Sequence, residues 1–186
     1  MINFSMYITG IVNLGLVKSS FFFILMLQLY ILRHGKAVKP ADSIKDFNRK
    51  LNKKGTAQVN QIGHILQQDK VKIDQIIASG AQRTQETAEI MDFYLQTNGI
   101  KFDDALYLAN RENIGQLLSK NAKEKVVLLV GHNFGLSDFV NYLSGDNLLL
   151  STSMLVQINF NFDDWNMLGH ETGTIERLIE PQVHTF

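Results

Sequence analysis

The 186-residue sequence contains no cysteine. That excludes a disulfide scaffold, a thiolate zinc centre and a cysteine nucleophile. It also fits a reducing compartment, and the expected location is cytoplasmic. Proline is scarce, with only 2 in the chain, Pro40 and Pro181, so structured segments can run unbroken between them. Neither sign of charge is in excess: 18 basic residues meet 18 acidic ones, and no basic field exists to hold a nucleic acid. Several motifs are missing as well. There is no Gly-x-Gly-x-x-Gly, His-Glu-x-x-His or Gly-x-Ser-x-Gly. Gly10 and Gly15 have the glycine spacing of a P-loop, but Leu16 stands where lysine is required. No repeat, low-complexity tract or linker interrupts the chain. What is there is globular: 45% hydrophobic and 19% charged residues, enough to bury one core.

Residues 1–25 form an apolar leader, with Lys18 as its only charge. A membrane helix needs about 20 continuous apolar residues, and polar positions from Asn3 to Ser20 break this run. A secretory signal wants a basic start and a small-residue cleavage site, and neither is found. The favoured reading is a dispensable leader or a mis-chosen start, with the functional domain spanning 26–186. A membrane or signal segment, or an ordered part of the fold, remain the alternatives.

From Leu27 the chain alternates. Leu27–Leu32 reads as a buried strand closed by Arg33-His34-Gly35. Lys53–Gln68 has helical spacing through Ala57, Ile62, Ile65 and Leu66. Asp74–Ala78 is a strand, Thr84–Leu95 a helix, Ala105–Leu108 a weak strand and Ile114–Ser119 a short helix. Lys125–Val130 is the strongest strand in the chain, and Leu136–Leu143 is helical. Met154–Glu180 alternates as strands in hairpin-like pairing. Strand and helix in turn predict an α/β sheet with helices on both faces, whose ligands bind at the carboxyl ends of the strands.

His34 and His132 both follow such strand ends, whereas His64, His170 and His184 read as ordinary surface residues. Arg33, Arg49 and Arg83 lie in or beside loops and helix starts. Arginine binds phosphate oxygens through charge-assisted, paired hydrogen bonds. Three arginines and two histidines at one point would make a dianion site. No carboxylate or histidine cluster has metal-ligand spacing, so no metal or cofactor is expected.

Arg33-His34-Gly35, after Leu29-Tyr30-Ile31-Leu32, resembles the signature of the histidine phosphatase superfamily, which includes the phosphoglycerate mutases. Asp46-Phe-Asn-Arg49-Lys-Leu51, Ser79-Gly80-Ala81-Gln82-Arg83 running to Thr87-Ala88, and Gly131-His132-Asn133-Phe134-Gly135-Leu136 are similar to segments of its small phosphohistidine phosphatase branch, the SixA type. Trp165 and Gly173 to Pro181 resemble the closing hairpin. Lys50, Gly80 and Phe134 replace prolines of the pattern and leave the charged positions in place. The resemblance implies a three-layer sandwich, a mostly parallel central sheet ending in an antiparallel hairpin. It implies His34 as nucleophile through a phosphohistidine intermediate. Arg33, Arg49, Arg83, His132 and Asn133 would bind phosphate, and Arg33, Arg83 and His132 would share in catalysis. Gly35 would offer its carbonyl to the His34 ring.

No acid matches a proton donor, and Glu112 is only a weak candidate. The short span from Arg83 to His132 implies an open site, suited to a phosphohistidine on a protein. A sugar phosphate or nucleotide phosphatase, or a non-catalytic phosphoprotein-binding module, are the rivals. The oligomeric state is not legible.

Overall fold

The structure is a computed structural model that describes residues 26–182. The leader and His184 fall outside the described residues. Six strands form one sheet in the order β3-β2-β4-β1-β5-β6. They are β1 (Gln28–Arg33), β2 (Gln75–Ser79), β3 (Ile100–Asp103), β4 (Val126–Gly131), β5 (Leu155–Phe160) and β6 (Gly173–Ile179). The first four are mutually parallel, and β5 pairs antiparallel with both β1 and β6. This is the expected sandwich with its C-terminal antiparallel strands.

The pleat of β1 divides the core. Leu29 and Ile31 join one apolar cluster, while Tyr30 and Leu32 join the other. Helices α1 (Lys53–Gln68) and α2 (Gln82–Leu95) cover the second face through Val59, Ile62, Leu66, Ala88 and Met91. Helices α3 (Arg111–Asn121) and α4 (Gly135–Ser144) cover the first through Ile114, Leu118, Phe139 and Val140. Near-continuous apolar strands such as β4 are what a sheet covered on both faces requires. Among the described residues no helix is long and apolar enough to cross a membrane.

The helix ends follow local chemistry. The Asn52 side chain accepts the Gly55 N–H at 2.8 Å and starts α1, and Asn110 does the same for Asn113 at 2.9 Å and starts α3. Gly145, at φ 78°, ends α4 in the left-handed conformation that glycine adopts without strain.

One expected element is corrected. Ala105–Leu108 is not a strand: Asp104–Leu106 forms a 3-10 turn, and the strand lies upstream at Ile100–Asp103. It is a four-residue edge strand with Lys101 and Phe102 exposed, so it carries little of the apolar signal that marks an inner strand. The short helix expected at Ile114–Ser119 runs from Arg111 to Asn121 once its asparagine cap is counted.

Candidate active site

Strands β1 and β4 are neighbours, yet the chain leaves β1 for α1 on one face and leaves β4 for α4 on the other. Their carboxyl ends therefore diverge around a crevice, the switch point where open α/β sheets bind ligands. His34 follows β1 and His132 follows β4, and their ring centroids are 5.1 Å apart.

The hydrogen bonds fix both tautomers. His34 Nδ1 lies 2.7 Å from the Gly35 carbonyl, which only accepts, so Nδ1 carries the proton and donates. Its Nε2 is then a lone pair, and Arg83 Nε donates to it at 3.2 Å. His132 is set the other way. Arg83 Nη2, which only donates, is 3.3 Å from His132 Nδ1, so the His132 proton sits on Nε2 and goes to Ser79 Oγ at 2.9 Å. Burial, reinforced by the neighbouring arginines, holds His34 down at about 4 and His132 at about 3. For His132 the adjacent His34 is a further cause. Both rings are neutral at pH 7.

Arg83 is 2% exposed and joins the two rings. It leaves the first turn of α2, and the Thr84 hydroxyl donates back to the Ser79 and Ala81 carbonyls at that turn. Its Nη1 and Nη2 also form a fork on Asp46, to the backbone carbonyl at 2.7 Å and to Oδ2 at 3.0 Å. Arg49 donates from Nε to Asp46 Oδ1 at 2.8 Å and from Nη1 to the Val38 carbonyl at 2.8 Å. Arg33 donates from Nη1 to the Leu150 carbonyl at 2.7 Å, and its buried Nε has no partner among the described residues. The charges of Arg33 and Arg83 bear on both imidazoles.

The structure thus gathers His34, His132, Arg33, Arg49 and Arg83. It places two other candidates elsewhere. Asn133 is beside the cluster, but its amide braces the loop: Nδ2 donates to the Leu150 carbonyl at 2.8 Å and Oδ1 accepts from Ser137 at 3.0 Å. Glu112 is exposed on the first turn of α3 and pairs with Arg111 at 2.6 Å, with no contact to the histidines.

Four contributors were not singled out from the sequence. Asp46 binds both Arg49 and Arg83, and the Tyr107 hydroxyl donates to its Oδ2 at 2.6 Å. Ser79 holds His132. The Thr87 hydroxyl donates to the Arg83 carbonyl at 2.7 Å and accepts the Gly35 N–H at 3.1 Å, tying α2 to the loop that carries His34. Asp46, three residues before Arg49, and Thr87, four after Arg83, lay within recognisable segments. Tyr107 carried no signal of its own.

Among the described residues no three metal-ligating side chains lie together. What the arrangement can do is bind a dianion against fixed guanidinium groups and present a neutral imidazole nitrogen to it.

Comparison with known proteins agrees with this geometry. The model of the histidine phosphatase superfamily (branch 1) matches residues 29–107, which span most of β1, His34, Arg49, Arg83 and Tyr107. An uncharacterised chloroplastic protein of Arabidopsis thaliana is 25% identical over 175 residues, covering 86% of this chain and 80% of that protein. The fold matches that of the SixA protein of Agrobacterium tumefaciens at TM-score 0.73 and 24% identity, covering 84% of this chain and 99% of that one. The protein histidine phosphatase SixA, solved with tungstate, matches at TM-score 0.70 and 22% identity over 83% and 97% of the two chains. The sequence match over residues 29–107 is to the histidine phosphatase superfamily (branch 1), and the fold shared along nearly the whole described length is that of the SixA structures.

Proposed function

We propose that this protein is a phosphatase that uses His34 as its nucleophile and removes phosphate from a phosphohistidine on a protein, in the manner of the SixA branch. The observation that carries the reading is the fixed tautomer of His34. Gly35 holds the Nδ1 proton, so the Nε2 lone pair faces the arginine cluster. In the first step Nε2 forms a bond to phosphorus as the bond to the leaving imidazole breaks in line. The leaving ring takes a proton from solvent. Arg33, Arg49 and Arg83 hold the non-bridging oxygens and absorb the developing charge. The incoming dianion favours protonation of His132, which at Nδ1 requires Arg83 Nη2 to leave that nitrogen for a phosphate oxygen. Water then attacks phosphorus, the bond to His34 breaks, and orthophosphate leaves with the water proton released to solvent.

Among the described residues no positioned general acid accompanies these groups: Glu112 is turned away to Arg111, and Asp46 is held ionised by Tyr107 and the arginines. An imidazole or an acidic phenol leaves with little proton help, whereas a sugar alkoxide needs a donor commonly worth about 10²–10⁴-fold in rate. Large apolar side chains also stand exposed next to site residues: Phe134 after Asn133, Leu108 after Tyr107, and Leu149 before Leu150. They support a protein substrate over a buried metabolite. The cysteine-free composition fits action in the cytoplasm.

The test measures kcat/KM on a phosphohistidine protein, an aryl phosphate and a sugar phosphate, in EDTA. The expected order places the first two at least a hundredfold above the third, about 2.7 kcal/mol of barrier, with no loss in EDTA and little change in Glu112→Gln. Preference for the sugar phosphate, lost in Glu112→Gln, moves the function to small esters. Binding without turnover makes the protein a phosphoprotein-binding module.

A further inference from the structure

Asp46 carries a negative charge in a site built to bind one, and that needs a reason. Its oxygens leave little of the arginines unused. Oδ1 takes Arg49 Nε, while Oδ2 and the backbone carbonyl take the two ends of the Arg83 fork. Asp46 opens a 3-10 turn, Asp46–Asn48, in the long loop between β1 and α1, where the backbone alone holds it weakly. Tyr107 fixes it from the opposite loop, between β3 and α3, by donating its hydroxyl to Oδ2 at 2.6 Å. The same tyrosine ring packs edge-on to His132 with centroids 5.3 Å apart, lies 5.7 Å from the Arg83 guanidinium carbon, and meets Phe47 at 5.0 Å.

We propose that Asp46 and Tyr107 are a positioning pair: together they fix the Arg83 guanidinium, and through its Nε and Nη2 they aim the lone pair of His34 and select the tautomer of His132. The inference rests on the reading of His34 as nucleophile. A guanidinium free to turn about its side chain presents its Nε–H in many directions. The fork on Asp46 leaves it one, with Nε on His34 and Nη2 on His132. A phosphoryl group arriving at His34 Nε2 then meets an Nε–H held beside it, which has only to pass from the lone pair to a phosphate oxygen.

The pair is not a proton relay. The Tyr107 hydroxyl, together with Arg49 and Arg83, holds the Asp46 carboxyl well below the usual carboxylate range, so it stays ionised and has no proton to give. Its hold on the two imidazoles runs through Arg83, while its other oxygen holds Arg49. That separates it from a residue that merely keeps the loop folded.

The experiment is a double-mutant cycle on the full chain with an aryl phosphate, read beside nitrogen NMR of the two imidazoles. In the wild type, His34 shows its proton on Nδ1 and His132 on Nε2. Tyr107→Phe should lower kcat by about tenfold, and Asp46→Asn by up to about a hundredfold, with His132 becoming a mixture of tautomers. In an Arg83→Lys background, which keeps the charge but cannot form the fork, Tyr107→Phe should change kcat by less than twofold. Equal losses in both backgrounds, or unchanged tautomers in Asp46→Asn, would overturn the proposal. Because tautomers are read without turnover, a variant of low activity still decides the matter. Failure to trap phosphate on wild-type His34 overturns the nucleophile reading instead, and the tautomer result is independent of it.

Discussion

Arg83 Nε and His34 Nε2 stand 3.2 Å apart, donor to lone pair, so in the proposed reaction the nucleophile at rest is capped by the group that would hold its substrate. The cap is a hydrogen bond and not a proton transfer, because arginine keeps its proton at any physiological pH. In the proposed reaction, exchange of this bond for one to a phosphate oxygen frees the lone pair when phosphorus is in place.

Replacement of His34 tests that step directly. His34→Ala should lose turnover by at least a thousandfold while still binding inorganic phosphate through the arginines. The wild type, quenched during turnover of labelled substrate, should carry acid-labile phosphate that the variant does not. Retention of more than a few per cent of activity in His34→Ala means the intermediate is not on this residue.

Acid should destabilise the fold. The unfolded chain protonates these histidines below the ordinary value of 6.5, whereas the folded chain holds His34 near about 4 and His132 near about 3. Between those values the unfolded state binds more protons. Stability is therefore full above pH 6.5 and falls as the pH drops through that window. For His132, only 3% exposed, the loss at pH 5 is of the order of 2 kcal/mol. Urea midpoints at pH 7.5 and pH 5 measure it. The wild type should lose more than His132→Asn, and an equal loss in both counts against a neutral buried ring.

Thr87 joins the arginine helix to the nucleophile loop, and its removal leaves the buried Gly35 N–H without a partner. Thr87→Val should cost about 1–3 kcal/mol in urea unfolding and lower kcat more than it changes KM, because the loop carrying His34 loses its anchor. A variant with wild-type stability and rate would show that water satisfies that N–H at no cost.

A chain beginning at Met26 should fold and act as the full chain does. Among the described residues Leu27 is the first tied to the sheet, with its N–H on the Phe162 carbonyl and its carbonyl receiving the Phe160 N–H, each at 3.0 Å. Circular dichroism and cooperative unfolding check this. Aggregation of the shortened chain would show that the domain boundary lies upstream.

The sequence made the helices and inner strands legible because burial imposes a pattern on them. Val59, Ile62 and Leu66 recur at helical spacing and define α1, and the apolar run of β4 can only be buried on both faces. It concealed what lies at the edge and in the loops. The exposed Lys101 and Phe102 gave β3 no period, so the strand was sought at Ala105–Leu108. That shift turned Tyr107 into a strand residue and hid its reach to Asp46, which is 61 positions away in sequence. Histidines and arginines at strand and helix ends announced themselves by position. The residues that orient them did not, because a hydroxyl or a carboxylate in a loop looks the same whether it faces water or a guanidinium.

The register of β1 carries a consequence for biosynthesis. This strand is made first in the domain, yet its two partners come late: Gln28 lies against Val126 of β4 and against Asn159 of β5. The loop behind His34 is closed by Ser153, made between β4 and β5, whose N–H reaches the Arg33 and His34 carbonyls. As the polypeptide emerges from the ribosome, α1, β2, α2 and β3 are available while the strand that bears the nucleophile waits unpaired, and closing such distant contacts is slow. A truncated translation product ending before β5 therefore carries every charged residue of the site yet leaves the strand that positions His34 with one bare edge, so the histidine loop is secured only near the end of synthesis.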